Sequence, residues 1–227
     1  MDLKALVFNC TLKKSPEFSN TDALIQLAVD EFSSLGVTCE VLRPVDSEIA
    51  PGTESDMGKG DEWPILLEKL KECDIFLLAS PIWIGRLSSV GQRVLERINA
   101  VFHEESLWDE RGRYYSYGKV AGCLCTGNED GAHEVSAHVL WALSELGFTI
   151  PPNVNSYWVG PAGPGPDYIE AGGKHHEFTN KTLLYTVHNL VFMAQVLREN
   201  PILTDLKSLQ ERAKLMSAPS LSGSRKS

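Results

Sequence analysis

Basic charge is in short supply: 21 Lys and Arg residues stand against 30 Asp and Glu, a formal net charge of −9 over 227 residues. A surface of that sign repels nucleic-acid phosphates and anionic lipid, so neither is expected as a partner. Long apolar runs are also missing. The longest helix-like stretch, about 176–199, is interrupted by Lys181, His188 and Asn189 and is not expected to span a membrane. The opening MDLKALVF has too short an apolar run for a secretory signal and lacks a small-residue cleavage site. Cysteine is sparse, limited to Cys10, Cys39, Cys73, Cys123 and Cys125. An odd count without a secretory signal suggests a reducing cytoplasm. Each thiol lies in or beside an apolar β-like run, where free cysteine behaves as a small hydrophobe. Cys123 and Cys125 have no second ligand pair at zinc-finger spacing, and residues two apart share one face of a strand. Core packing is therefore expected there, and no metal site. There is no GxGxxG and no GKS or GKT, which removes the dinucleotide fingerprint and the nucleoside-triphosphate loop.

What is present is a regular alternation of strand and helix signals. Hydrophobic residues at 43% and charged residues at 22% suit one large domain able to bury a core without disulfides. Apolar runs at 3–9, 37–43, 74–79, 119–126 and within 148–159 read as strands. Helical spacing is found at 20–35, in EWPILLEKLKE, and at 88–102, 133–146 and 176–199. Asn20 or Thr21 is available to cap the first helix, and Gly36 and Gly147 to stop helices. Val94, Leu95, Ile98, Val101 and Phe102 are expected to face inward from the third. Residues 44–61 and 161–173 read as loops, 104–118 as a polar and aromatic excursion, and the tail from about 217 as disordered. No internal repeat is evident.

Five strands alternating with five helices imply an α/β fold, a three-layer, doubly wound, five-stranded parallel sheet. Ligands on such sheets bind beyond the carboxyl ends of the strands, where strand order reverses. The loops after residues 9, 79, 126 and 159 are therefore the ones to examine. In the first, hydroxyls, an amide and lysines converge on a helix amino terminus, a place favourable to phosphate; a polar surface loop before a capped helix accounts for the same residues. In the third, Thr126-Gly127-Asn128-Glu129-Asp130-Gly131 permits close backbone approach to a ligand, and a plain Asn/Asp/Gly turn is the alternative. Glu129 and Asp130 are expected to be solvated.

Two stretches carry a family resemblance. Cys10-Thr11-Leu12-Lys13 stands where GSPR would in a GSPRxxSNT loop, and Ser19-Asn20-Thr21 matches its SNT. Residues 80–98, SPIWIGRLSSVGQRVLERI, are similar to SPxYxGxxSxxLKxFxDR: Ser80, Pro81, Gly85, Ser88 and Arg97 match, and Trp83 keeps a flat ring at the tyrosine position. Over roughly residues 4–160 the chain resembles the NADPH-dependent FMN reductases and related quinone reductases of the flavodoxin superfamily.

The resemblance implies a flavodoxin-like FMN-binding domain over 1–200, with 201–227 as a C-terminal extension. It implies FMN contacts from Thr11, Lys13, Ser19, Asn20 and Thr21; from Pro81, Ile82, Trp83, Ile84, Gly85 and Ser88; and from Thr126, Gly127, Asn128 and Gly131. The implied reaction is hydride transfer from NADPH or NADH through FMN to a quinone, free flavin or similar small acceptor, with no side chain as acid–base catalyst. An electron carrier and an interaction protein that has lost FMN are the alternatives. The compact four-thiolate cluster of iron–sulfur flavoproteins is absent. His175 and His176 are candidates for a second-substrate pocket or plain exposed histidines. Leu184, Val191, Phe192 and Met193 lie off the main stripe of the last helix, so either the 104–118 excursion or a second subunit is expected to cover them, and a homodimer or higher homo-oligomer is expected.

Overall fold

The computed structural model describes residues 3–163 and 165–217. In chain order the elements are β1 (Lys4–Asn9), α1 (Asn20–Ser34), β2 (Thr38–Leu42), α2 (Trp63–Glu72), β3 (Ile75–Trp83), β4 (Arg86–Leu87), α3 (Ser89–Ile98), β5 (Val120–Thr126), α4 (Ala132–Glu145), β6 (Asn155–Trp158), α5 (Glu177–Glu199) and α6 (Leu206–Ser217). Five strands pair in parallel in the order β2-β1-β3-β5-β6, and the two-residue β4 folds back antiparallel on the end of β3. That is the flavodoxin-like order, with its reversal between β1 and β3.

The central strands need apolar residues at every position because both faces are covered. Leu6, Phe8, Phe76, Leu78, Cys123 and Cys125 pack under α2, α3 and α4. Ala5, Val7, Ile75, Leu77, Val120 and Leu124 pack under α1 and α5. The paired cysteines thus share one core face. In β5, Gly122 has no side chain because a Cβ would fall 2.7 Å from the Val154 carbonyl oxygen and 3.3 Å from Leu190 of α5. The buried stripe of α5 is Leu183, Val187, Leu190, Ala194 and Leu197.

One charged pair lies inside this core. Arg97 of α3 and Asp61 are 0% and 1% exposed and bond at both guanidinium nitrogens, 2.9 and 2.6 Å. Arg97 also donates to the carbonyls of Glu54 and Ala50, and its guanidinium lies 5.6 Å from the Trp63 ring centroid. Asp61 accepts backbone N–H bonds from Ala50, Met57 and Trp63. The pair fixes the 44–62 loop, which has little regular structure of its own.

Several expectations change. Ser19, not Asn20 or Thr21, caps α1, because its hydroxyl is the one that accepts the Asp22 N–H, at 3.2 Å. The third helix ends at Ile98 and continues as a 3₁₀ turn, Asn99–Phe102, which leaves Phe102 exposed. Within 148–159 the regular strand is Asn155–Trp158; Thr149 makes an isolated parallel bridge to Val120, and Pro151 and Pro152 interrupt the pairing between the two. The 104–118 excursion packs Leu107, Trp108, Tyr114 and Tyr115 against the α2–α4 face and so does not cover α5. It grips the chain after α5: Arg113 donates to the Ile202 carbonyl, Arg111 to that of Leu203, and Leu206 N–H to the Arg111 carbonyl. Val191 is buried in the core, whereas Leu184, Tyr185 and Phe192 remain exposed. The extension holds α6, which local patterning did not suggest, and residues 218–227 lie outside the described residues. No described helix is long and apolar enough to cross a membrane.

The Arg97 guanidinium holds the Asp61 carboxyl far below the usual carboxylate range, and the backbone N–H donors reinforce this against the cost of burial. A depressed folded-state value means the stabilisation is full above the unfolded value of about 4 and declines as acid protonates the unfolded chain first. Asp61→Asn, which strands the Arg97 charge, is expected to cost about 3–5 kcal/mol at neutral pH. Urea denaturation should show that gap narrowing below about pH 4.

Candidate functional site

Parallel pairing sets Asn9 beside Ala79 and Pro81 beside Thr126. The loops that follow β1, β3 and β5 therefore leave the sheet along one edge.

The loop after β1 is shaped mostly by backbone contacts. Thr11 N–H donates to Asn9 Oδ1 at 3.2 Å, and Lys13 N–H to Thr11 Oγ1 at 3.3 Å. Arg43, just past β2, donates to the carbonyls of Lys13, Lys14 and Glu17 at 3.4, 3.5 and 2.8 Å and pairs with Asp22 at 3.4 Å. With Ser19 as cap, the positive end of α1 opens toward the strand ends. Thr21 Oγ1 lies 2.9 Å from Thr126 Oγ1, which ties the first helix turn to the end of β5.

The β3–β4 hairpin presents Trp83. Ile82 pairs with Leu87 and Trp83 with Arg86, leaving a two-residue turn in which Ile84 (φ +51°) and Gly85 (φ +70°) are both left-handed. A β-branched residue in that region is strained. The turn is braced by the Ile84 N–H bond to Glu129 Oε1, 2.8 Å, and by Gly131, where a Cβ would fall 2.7 Å from Gly85 Cα. Glu129, half-exposed, thus also serves as a brace for the hairpin. Trp83 is left 53% exposed.

Gly127 is required for closeness, since a Cβ there would sit 2.9 Å from Ile82 Cβ; its N–H is spent on the Trp158 carbonyl. Asn128 Nδ2 reaches the Gly165 carbonyl at 3.1 Å and Asp167 Oδ1 at 3.0 Å. Asn20 Oδ1 accepts the Ile169 N–H at 2.9 Å. These bonds draw residues 165–169 in as a fourth wall.

A single cleft results. Thr11, Lys13, residues 19–21, residues 81–83 and residues 126–128 all line it. Ile84 and Gly85 form the hairpin tip and Gly131 packs beneath it, so these line the support, not the cleft. Ser88 is buried as the cap of α3, its hydroxyl donating to the Cys10 carbonyl and accepting the Gly91 N–H. Cys10, under the first loop, is kept a neutral thiol because burial pushes it up. Sequence reasoning missed Leu12, Glu129, Asp167 and Tyr168 as lining residues. The only signal for Asp167 and Tyr168 was their place after the fourth flagged strand end. His175 and His176 line a separate cavity with Tyr157, Trp158 and Phe178. His176 Nδ1 is 2.9 Å from Thr179 Oγ1.

Residues 3–159 match the family model described as NADPH-dependent FMN reductase. The chain belongs to this family. It is also similar to the 8-demethyl-8-aminoriboflavin-5′-phosphate synthase of Streptomyces davaonensis, 40% identical over 223 residues, covering 94% of this chain and 86% of that protein. A divalent metal cation transporter, MntH, of Mycobacterium bovis is 44% identical over 202 residues; the match covers 86% of this chain, which spans only 29% of the transporter's length. Among solved structures, RosB with bound 8-demethyl-8-formylriboflavin-5′-phosphate superimposes with a TM-score of 0.87 at 37% identity, covering 99% of this chain and 96% of that one.

The cleft suits the ligand that names the family. A helix amino terminus, the hydroxyls of Thr11, Ser19, Thr21 and Thr126, and Lys13 form a donor set for a phosphate monoester. Trp83, Ile82 and Pro81 offer an apolar wall for a flat ring. Lys13 is exposed, so its contact with a phosphate would be screened. Lys13→Ala is expected to weaken FMN by about 1 kcal/mol or less and leave riboflavin unchanged. Parallel titrations of the two flavins check this, and equal loss for both would move the phosphate off the first loop.

Proposed function

We propose that the chain is an FMN-dependent oxidoreductase that takes hydride from NADPH or NADH and delivers it to a small acceptor such as a quinone or free flavin. The observation that carries the reading is the single cleft formed at three parallel strand ends, within the 3–159 span that matches the FMN reductase family. When bound, FMN supplies two-electron hydride chemistry, which none of the side chains lining the cleft can perform. The protein's part is position. The α1 amino terminus and its hydroxyls would hold the phosphate end, the braced hairpin would offer Trp83 to the ring, and the cleft would have to admit a nicotinamide. Reactions of this kind depend steeply on near-attack geometry, and that gives a physical reason for a strained, doubly braced turn at residues 84–85.

A second reading has its own support. Likeness to the synthase and to the flavin-bound RosB structure extends through the C-terminal third, beyond the 3–159 family span. In that reading, riboflavin 5′-phosphate is the substrate, altered at its 8-methyl carbon, as the names of those proteins describe.

One experiment separates the two. Protein loaded with FMN and desalted should be yellow, lose its visible absorbance with NADPH or NADH under anaerobic conditions, and regain it on adding a quinone. Flavin extracted after many such cycles should have the mass of FMN. A second incubation, in air with FMN and an amino-group donor, completes the test: a changed flavin mass there selects the second reading, and no FMN binding in a direct titration removes both. The exposed Phe178, Leu184, Tyr185 and Phe192 on α5 form the face through which we propose two copies associate. Sedimentation should show a dimer at micromolar concentration, and Phe192→Glu should shift it to monomer.

A further inference from the structure

The cleft contains one polar group that none of the described residues satisfies. Tyr168 is 2% exposed and lines the cleft, and its hydroxyl is fully buried without a hydrogen-bond partner. Most buried hydroxyls are paired, and an unpaired one is destabilising by its full loss of hydration. In a residue that lines a ligand cleft, such a group has its natural partner in the ligand.

The tyrosine is held in place from several directions. Its ring packs edge-on against Trp158 at 5.5 Å between centroids. Gly173 makes room for it, because a Cβ there would fall 2.2 Å from the ring. On one side Ile169 N–H is fixed to Asn20 Oδ1, and on the other Asp167 is fixed to Asn128. The bond to Asn20 is the informative one: it ties the tyrosine's backbone to the first residue of α1, whose amino terminus faces the cleft. Among the described residues, the hydrogen bonds of this segment run to Asn20 and Asn128 and not to the Trp83 hairpin, the apolar side.

Resting on the FMN reading above, we propose that the Tyr168 hydroxyl donates a hydrogen bond to the 5′-phosphate of the bound flavin. The chain then holds the phosphate from two directions, the α1 side and residues 165–169. The second grip lies outside the span that matches the family. Burial raises the phenol to about 12, so it remains a protonated donor at neutral pH.

The test is Tyr168→Phe, which keeps the ring and its packing on Trp158. Wild-type protein and variant are titrated with FMN and with riboflavin, and both are melted without ligand. A neutral donor bound to a charged phosphate predicts roughly a tenfold or greater loss of FMN affinity, with riboflavin affinity unchanged. The ligand-free variant should melt at the same temperature or higher, since an unsatisfied buried hydroxyl has been removed. Equal loss for both flavins overturns the phosphate assignment, as does unchanged FMN affinity. A lower ligand-free melting temperature with FMN affinity intact marks the hydroxyl as structural. If wild-type protein itself fails to bind FMN, the reading of the whole cleft falls, a result separable from any effect of the variant.

Discussion

Parallel pairing of β1 with β3 and of β3 with β5 is the constraint on which the rest depends. Parallel strands cannot be joined by tight turns, so every connection is a crossover, and each strand delivers its following loop to the same edge. The register then sets heights along that edge. β1 stops at Asn9 beside Ala79, whereas β3 runs on through Pro81, level with Thr126, to Trp83. The phosphate-favouring helix start therefore lies low, next to the strand-order reversal, and the Trp83 hairpin stands above it. A shallow register difference gives the cleft a floor of hydroxyls and a helix amino terminus beneath an apolar rim.

Loops are pinned from outside by arginines. Arg97 holds the 44–62 loop through a buried pair with Asp61, and Arg43 holds the 13–17 loop through its carbonyls. Arg97 falls on the arginine that ends the second family motif, yet its contacts are with the loop and with Trp63, away from the cleft lining. A motif position can thus serve the scaffold, and Ser88 is another case.

The fold was largely legible because it rests on local periodicity: apolar strand runs, the α5 stripe, and helix stops such as Gly147. Two walls of the cleft were legible through the SNT and SPIW matches, and the third through its glycines and its place after a strand. What escaped were contacts spanning great chain distance. Asn20 and Ile169 are 149 residues apart, and Asn128 and Asp167 are 39 apart; no spacing rule connects them. Tyr168 lies in a glycine- and proline-rich run without period, so only its tertiary partners reveal its place. Nothing in the sequence joins Glu129 to the strained turn 45 residues earlier, whose N–H it accepts from a half-exposed position. α6 went unnoticed because none of its residues is buried.

Arg43 recognises the first loop by its main-chain oxygens and not by the side chains at 13, 14 and 17. At those three positions the course of the loop is consequently insulated from the side chain, whereas Asn9, Thr11 and Ser15 hold it through theirs. A substitution at Lys13, the one of the three that lines the cleft, alters what the loop offers a ligand while the Arg43 contact to its carbonyl is kept. Divergence within such a lineage has a protected place to experiment: ligand preference is free to drift there, while a single guanidinium on the neighbouring strand preserves the architecture.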